Sequence, residues 1–449
     1  MKRLWFAITL LAGVALAQSV PPEVTWLREN VIPLKTVEAN NGFADLEPVS
    51  ALVAEARIVG LGEATHGTRE FFLAKHRLLE FLVSKHDFRV FAMEANWASS
   101  FALNEYVLGG NGDARKLLQQ YAKIMWAWRT EEVLGLIEWM RVYNQSTTQK
   151  ITFTGFDMQE PVPAVDWLVG WLETSAKDQA TRTDELLSCI RFSLGNILSV
   201  ARYSATGENG AKRCAVQIET VRRILQNRRT NFKPNEYQTA LQMVRVLEQA
   251  NAYYKARFVT QDLLEAVTIR DAFMAENAAW LEKTSKQKVV TWAHNGHVTF
   301  NPKMHFGWKP MGAYLREQYQ DKYRVWGFAF FEGSFYAQLL DANDPARTVA
   351  AAMLGLAANP SVQRVPNPGM GSYEVLFRAT NIPIFMLDLR RSSTAAGAWL
   401  KKARRLQIVG QNLPPFREPE PDWYSYEAVL PNDFDAIIYI DKTSPSTPL

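Results

Sequence analysis

The chain has 449 residues, a formal net charge of +4, 47% hydrophobic and 12% aromatic residues, and two cysteines. That length accommodates two or three domains, or one large fold carrying an insertion, and the aromatic content supplies a sizeable core. A charge so small and so evenly spread argues against a nucleic-acid partner.

The first residues read as a targeting segment. Lys2 and Arg3 precede an apolar run from Leu4 to Ala15, and Ala15-Leu-Ala17 forms a small-x-small cleavage site. The run is shorter than the about 20 residues a bilayer requires. The expectation is a signal peptide over 1–17, a mature chain starting at Gln18, and a periplasmic or secreted protein. No later stretch has the length and apolarity of a membrane helix, so no stable membrane insertion is expected.

The first strand reads Ala56-Arg-Ile-Val-Gly-Leu61 and runs into Gly62-Glu-Ala-Thr-His-Gly67. Glu63 and His66 therefore stand three residues apart at a strand-to-helix corner, where open α/β sheets place their chemistry. An acid and an imidazole so spaced suit a general base with its orienting partner. The same residues also suit a helix N-cap at Thr65 or Thr68 beside a surface histidine. The helix that follows, Glu70 to Ser84, has an apolar stripe of Phe71, Phe72, Leu78, Leu79, Leu82 and Val83. Lys75 and His76 fall on that stripe, as pocket residues or as side chains snorkelling at its margin; Glu70, Arg77 and Glu80 are expected to face outward.

Further strands follow with polar carboxyl ends. Phe88 to Met93 ends at Glu94, which is either a site carboxylate or a loop cap. Trp126-Ala-Trp128 precedes a helix and suits an aromatic substrate wall or the core. Ile151 to Phe156 ends at Asp157. Between about 161 and 285 the pattern turns helical, with segments at Asp166–Glu173, Asp184–Tyr203, Val216–Gln226, Glu236–Arg257 and Leu263–Lys283. Gly207-Glu-Asn-Gly210 and Lys233-Pro234-Asn235 break them. Lys288 to Ala293 then ends at His294-Asn-Gly-His297, a pair able to ligate a metal, hold a substrate carbonyl or cap a loop. Tyr323–Phe331, Ile382–Leu387 and Phe434–Ile440 complete the strands, and Glu418-Pro-Glu-Pro421 reads as a short surface loop. Alternating strands and helices predict an α/β fold with a largely parallel central sheet flanked by helices. Residues 18–160 and 286–449 form the two parts of its core, and 161–285 an all-helical insertion that roofs or walls the sheet.

The two cysteines, Cys189 and Cys214, leave their pairing open. An even count in an exported protein favours a disulfide, but both fall near the starts of consecutive helices, which would set them at opposite ends of a hairpin. Nucleophilic catalysis lacks its signatures: there is no G-x-S-x-G elbow, no cysteine beside a histidine motif, and no phosphate loop.

Taken in order, several motifs resemble the erythromycin esterases and esterase-like proteins over nearly the whole mature chain. They are Gly62-Glu-Ala-Thr-His-Gly67, Glu70-Phe71 with Lys75-His76-Arg77, Met93-Glu94-Ala95, Trp126-Ala-Trp128 with Glu131-Glu132-Val133, and Gly155-Phe-Asp-Met158. Arg270-Asp271 with Met274-Ala275, Ala293-His-Asn-Gly-His297, Met311-Gly312 and Phe434-Asp-Ala-Ile437 follow. The resemblance implies metal-free, cofactor-free hydrolysis of a macrolide lactone, the chemistry of antibiotic resistance. It implies His66 as base, Glu63 as its support, and Glu94 and His297 as further catalytic residues. Lys75 stands where some resistance members carry an arginine, so substrate identity transfers less than site and reaction class.

The reading is thus an exported hydrolase of a small-molecule ester or lactone, with Lys75, His76, His294, Trp126 and Trp128 against the substrate. A metal-dependent hydrolase using His66, His294 and His297, or an envelope binding protein that retains the cleft, are the alternatives.

Overall fold

The computed structural model of the protein describes residues 20–121, 126–193, 196–302, 307–339, 360–410, 412–413 and 424–449. The expected signal peptide and the Glu418–Pro421 loop lie outside these residues. In chain order the strands are β1 (Val31–Pro33), β2 (Ile58–Leu61), β3 (Phe88–Asn96), β4 (Thr152–Asp157), β5 (Lys288–Trp292) and β6 (Tyr323–Gly333). They continue with β7 (Phe335–Leu339), β8 (Ser361–Gln363), β9 (Ile384–Asp388), β10 (Arg404–Gln407), β11 (Asn412–Leu413), β12 (Ser425–Ala428) and β13 (Ala436–Thr443).

Eight of them form one sheet in the order β1-β9-β13-β6-β2-β5-β3-β4. The six from β13 to β4 are parallel, whereas β1 and β9 add an antiparallel edge. The fold is therefore the expected α/β sheet with helices on both faces. Successive strand residues go to opposite layers. Val289 and Ile437 pack with the insertion helices on one face. Val290 and Ile438 pack with the Arg69–His86 and Glu131–Ser146 helices on the other. Buried on both faces, the central strands read as unbroken apolar runs in the sequence.

The insertion enters after β4 and leaves at β5. Its principal helices are Val162–Ser175, Lys177–Leu187, Gly207–Asn227, Pro234–Tyr254 and Leu263–Ser285. The expected single helix from Asp184 to Tyr203 is broken at Ser188–Ile190 and resumes at Ile197. That break puts Cys189 just past the end of one helix, where it bonds Cys214 across a Cα separation of 5.6 Å. The geometry that argued against the disulfide rested on a continuous helix. Among the described residues no helix is long and apolar enough to cross a membrane.

Two expectations for the Arg69–His86 helix are corrected. Arg77 and Glu80 do not face outward; they are 2% and 3% exposed. The irregular segment before β2 lies over them. Arg77 donates to Asp45 and to the Thr36 and Gly42 carbonyls, and Glu80 accepts the Asn40 amide.

Candidate active site

The carboxyl ends of four adjacent parallel strands deliver the site. Register aligns Leu61 of β2 and Met93 of β3 with Trp292 of β5, so the residues just beyond them meet at one edge. Glu63 and His66 follow β2, Glu94 lies near the end of β3, Asp157 ends β4, and His294 and His297 follow β5. Strand β3 runs past Glu94 to Asn96, with an irregular register between Met93 and Asn96. A bulge of that kind re-aims a side chain beside a site.

His66 is 6% exposed and Glu63 is fully buried. The His66 Nδ1–H donates to Glu63 Oε1 at 2.6 Å, a pairing that leaves Nε2 as the ring's acceptor. The other carboxylate oxygen accepts from Lys75 Nζ at 2.6 Å and from Trp292 Nε1 at 2.9 Å. Lys75 also stands 4.3 Å from the centre of the Trp292 ring. Burial draws the Lys75 ammonium down to about 8, against the upward pull of the Glu63 and Glu94 charges. Thr68 precedes the helix without a side-chain cap bond, and its hydroxyl meets that of Thr65 at 2.5 Å. The corner is thus a buried acid–imidazole pair, and the N-cap with a surface histidine is not what forms there.

A second cluster faces this pair. Arg270, from the Leu263–Ser285 helix, donates to Asp157 Oδ2 at 2.6 Å and to Glu94 Oε1 at 2.8 Å. Its neighbour Asp271 accepts from His297 Nδ1 at 2.9 Å and from the Met311 amide at 2.7 Å. His297 Nε2 lies 3.3 Å from Glu94 Oε1. Burial alone would lower the His297 imidazole, but the Asp271 and Glu94 carboxylates outweigh it and Arg270 together, and the net direction is up. Burial alone would raise the Glu94 carboxyl, yet the His297, Arg270 and His66 charges and the His294 amide hold it well below the usual carboxylate range.

His294 joins the two clusters. Its ring centre is 5.0 Å from that of His66, and its backbone amide donates to Glu94 Oε2 at 3.0 Å. Its Nδ1 accepts from the Gly296 amide and its Nε2 donates to the Val409 carbonyl, both at 3.2 Å. Burial, with His66 and His297 nearby, holds it far below the usual imidazole value. It is a neutral spacer with both nitrogens engaged. Trp128 backs the site from the core and is not an exposed substrate wall: it is fully buried, meets the His66 ring edge-on at 5.6 Å, and donates Nε1–H to the Glu94 carbonyl at 3.2 Å.

Of the expected site residues, Glu63, His66, Lys75, Glu94, His294, His297 and Trp128 come together. Lys75 sits behind Glu63 with its side chain fully covered. Its contacts are the carboxylate and aromatic rings, so it reaches a substrate only through Glu63. His76 lies elsewhere, between Trp139 and Glu80, with its imidazole lowered to about 4 by burial. Trp126 is half-buried against the core. Sequence reading placed Arg270, Asp271 and Asp157 in motifs without giving them roles. The signal available was an adjacent cation and anion, Arg270-Asp271, interrupting the apolar Ala266-to-Ala275 stretch of a helix. Val409 acts through its backbone, which carries no sequence signal.

A parallel sheet whose carboxyl edge sets a Glu–His pair opposite a His–Arg–carboxylate cluster defines an α/β protein built for acid–base chemistry. The family model for erythromycin esterase matches residues 83–443, and the chain belongs to that family, among esterase-type hydrolases acting on small molecules. It is 24% identical to an erythromycin esterase type II of Escherichia coli over 330 residues, 69% of this chain and 77% of that protein. Among solved structures it is similar to a succinoglycan biosynthesis protein, with TM-score 0.79 and 25% identity over 96% of this chain and 99% of that one. It also shares its fold with a mutant of the erythromycin esterase EreC in an open conformation, with TM-score 0.66 and 19% identity over 90% and 94% of the two chains.

Proposed function

We propose that the protein is an exported hydrolase that cleaves a carboxylic ester or macrolactone with water activated by His66. The observation that carries this reading is the buried 2.6 Å contact between His66 Nδ1 and Glu63. With Nδ1–H committed to Glu63, Nε2 takes a proton from water as the water oxygen attacks the ester carbonyl. The imidazolium that forms is stabilised by the Glu63 carboxylate. The tetrahedral oxyanion develops beside the Arg270 guanidinium and the His297 ring, where positive charge held in place favours it. As the carbon–oxygen bond to the leaving alcohol breaks, His66 returns its proton to that oxygen, giving acid and alcohol. Glu94 holds Arg270, His297 and the His294 amide in position and does not itself need to move a proton.

A metal-dependent route finds less support in the donors. Both nitrogens of His294 are hydrogen-bonded, to the Gly296 amide and the Val409 carbonyl, which takes one imidazole out of a His66–His294–His297 set. Among the described residues no group of three or more His, Cys, Asp or Glu side chains could hold an ion. A purified mature protein assayed on a panel of esters and macrolactones tests the reading, with His66→Ala as the control. Loss of a general base lowers turnover by about 10²–10⁴-fold. Retention of full turnover in His66→Ala on every accepted ester removes His66 from the reaction.

A further inference from the structure

Residues 444–449 follow β13 and read Ser-Pro-Ser-Thr-Pro-Leu, a composition usual in solvated loops. Yet every backbone N–H in this segment has a partner. The Ser444 amide donates to Glu70 Oε2 at 2.7 Å and the Thr447 amide to Glu132 Oε2 at 3.0 Å. The Ser446 amide donates to the Gly67 carbonyl at 2.9 Å and the Leu449 amide to the Arg129 carbonyl at 3.0 Å. The two remaining residues are prolines, which have no N–H to satisfy. Pro445 lies opposite Thr68 and Pro448 opposite Thr130 in two isolated antiparallel bridges.

The strap therefore bonds the residue after His66 and the residue after Trp128. The same Gly67 carbonyl also accepts the Tyr336 amide, and a Cβ on Gly67 would lie 2.1 Å from the Tyr336 carbonyl oxygen. Two carboxylates anchor the strap. Both oxygens of Glu70 accept from Ser444, the hydroxyl at 2.5 Å. Both oxygens of Glu132 accept from Thr447, whose hydroxyl reaches Oε1 at 3.0 Å. Each glutamate is in the first turn of a helix, where its charge would be favourable without a strap, but here the oxygens are spent on the strap.

We propose that Glu70 and Glu132 are positioning residues which, by holding the 444–449 strap, fix His66 against Trp128 and so set the aim of its imidazole. This rests on reading His66 as the base. The test compares Glu70→Ala/Glu132→Ala with Glu70→Gln/Glu132→Gln. Both pairs remove the helix charges, but only glutamine keeps an acceptor for the strap. Nitrogen-15 NMR of the His66 ring is recorded alongside ester turnover. The alanine pair is expected to move the His66 ring resonances and to lower kcat by about 10-fold or more with KM little changed, because misplacement of about 1 Å can cost 10²-fold. The glutamine pair is expected to restore both. Unmoved His66 resonances in the alanine pair, or equal damage in the glutamine pair, overturns the proposal. If the alanine pair does not fold, Ser444→Ala/Thr447→Ala, which deletes only the hydroxyl contacts, is measured in the same way and unmoved resonances again overturn it. A wild-type protein that hydrolyses no ester defeats the esterase reading, whereas the NMR comparison still decides the strap.

Discussion

Lys75 Nζ and Glu63 Oε2 lie 2.6 Å apart with both side chains fully buried. Removing one member of such a pair leaves the other charged and uncompensated, at a cost of about 3–5 kcal/mol. Lys75→Met keeps the side-chain length and is expected to lower the urea midpoint accordingly, whereas Lys75→Met/Glu63→Gln recovers a large part of the loss through coupling. A neutral Lys75→Met, or strictly additive losses, would show that the pair does not hold the Glu63 charge in place.

Glu63→Gln is expected to lower kcat far more than it raises KM. Glu63 touches His66, Lys75 and Trp292, and in the proposed reaction its charge acts on the imidazolium that forms as the proton moves. An interaction made chiefly in the transition state appears in turnover. If steady-state kinetics show weaker substrate affinity and unchanged kcat, Glu63 is a binding residue.

The raised His297 imidazole gives a stability that depends on pH. Its folded value lies above the ordinary 6.5. Protonated His297 therefore stabilises the fold fully below about pH 6.5, and that contribution disappears as pH rises through the folded value. His297→Gln has no such proton. The stability advantage of the wild type over His297→Gln, measured by urea unfolding at mildly acidic and at alkaline pH, is expected to shrink as pH rises. An advantage that stays constant across the range would mean that His297 does not gain its proton on folding.

Dialysis against a strong chelator is expected to leave ester turnover intact, because both ring nitrogens of His294 are already bonded to Gly296 and Val409 and, among the described residues, no group of three or more His, Cys, Asp or Glu side chains could hold an ion. Activity lost on chelation and restored by zinc or manganese would replace the histidine-activated water with a metal-bound one.

The Glu63–His66 corner was legible because its chemistry is local: three residues of spacing and an apolar strand before them are visible in a single chain. The parallel strands were legible as continuous apolar runs, since burial on both faces removes the alternation of a half-exposed strand. Strand direction was not, because β9 has the same composition whether it runs with or against β13. Arg77 and Glu80 were misread for a related reason. Helical periodicity reports which positions share a face, but not that an irregular segment will cover the polar one. The Arg270–Asp271 pair was visible as residues and invisible as a site, since its partners Asp157 and Glu94 stand 113 and 176 positions away.

Those separations tie completion of the site to the docking of the insertion. A contact so distant in sequence needs the loop between its partners to be closed first. Until the helix that carries Arg270 docks on the sheet edge, His66 has its Glu63 partner but no cation across from it. A half-folded chain would thus hold a base without the charge that steadies its product, and would be catalytically silent. Ester turnover, followed during refolding, becomes a clock for the docking of residues 161–285, and it reads zero until the insertion is home.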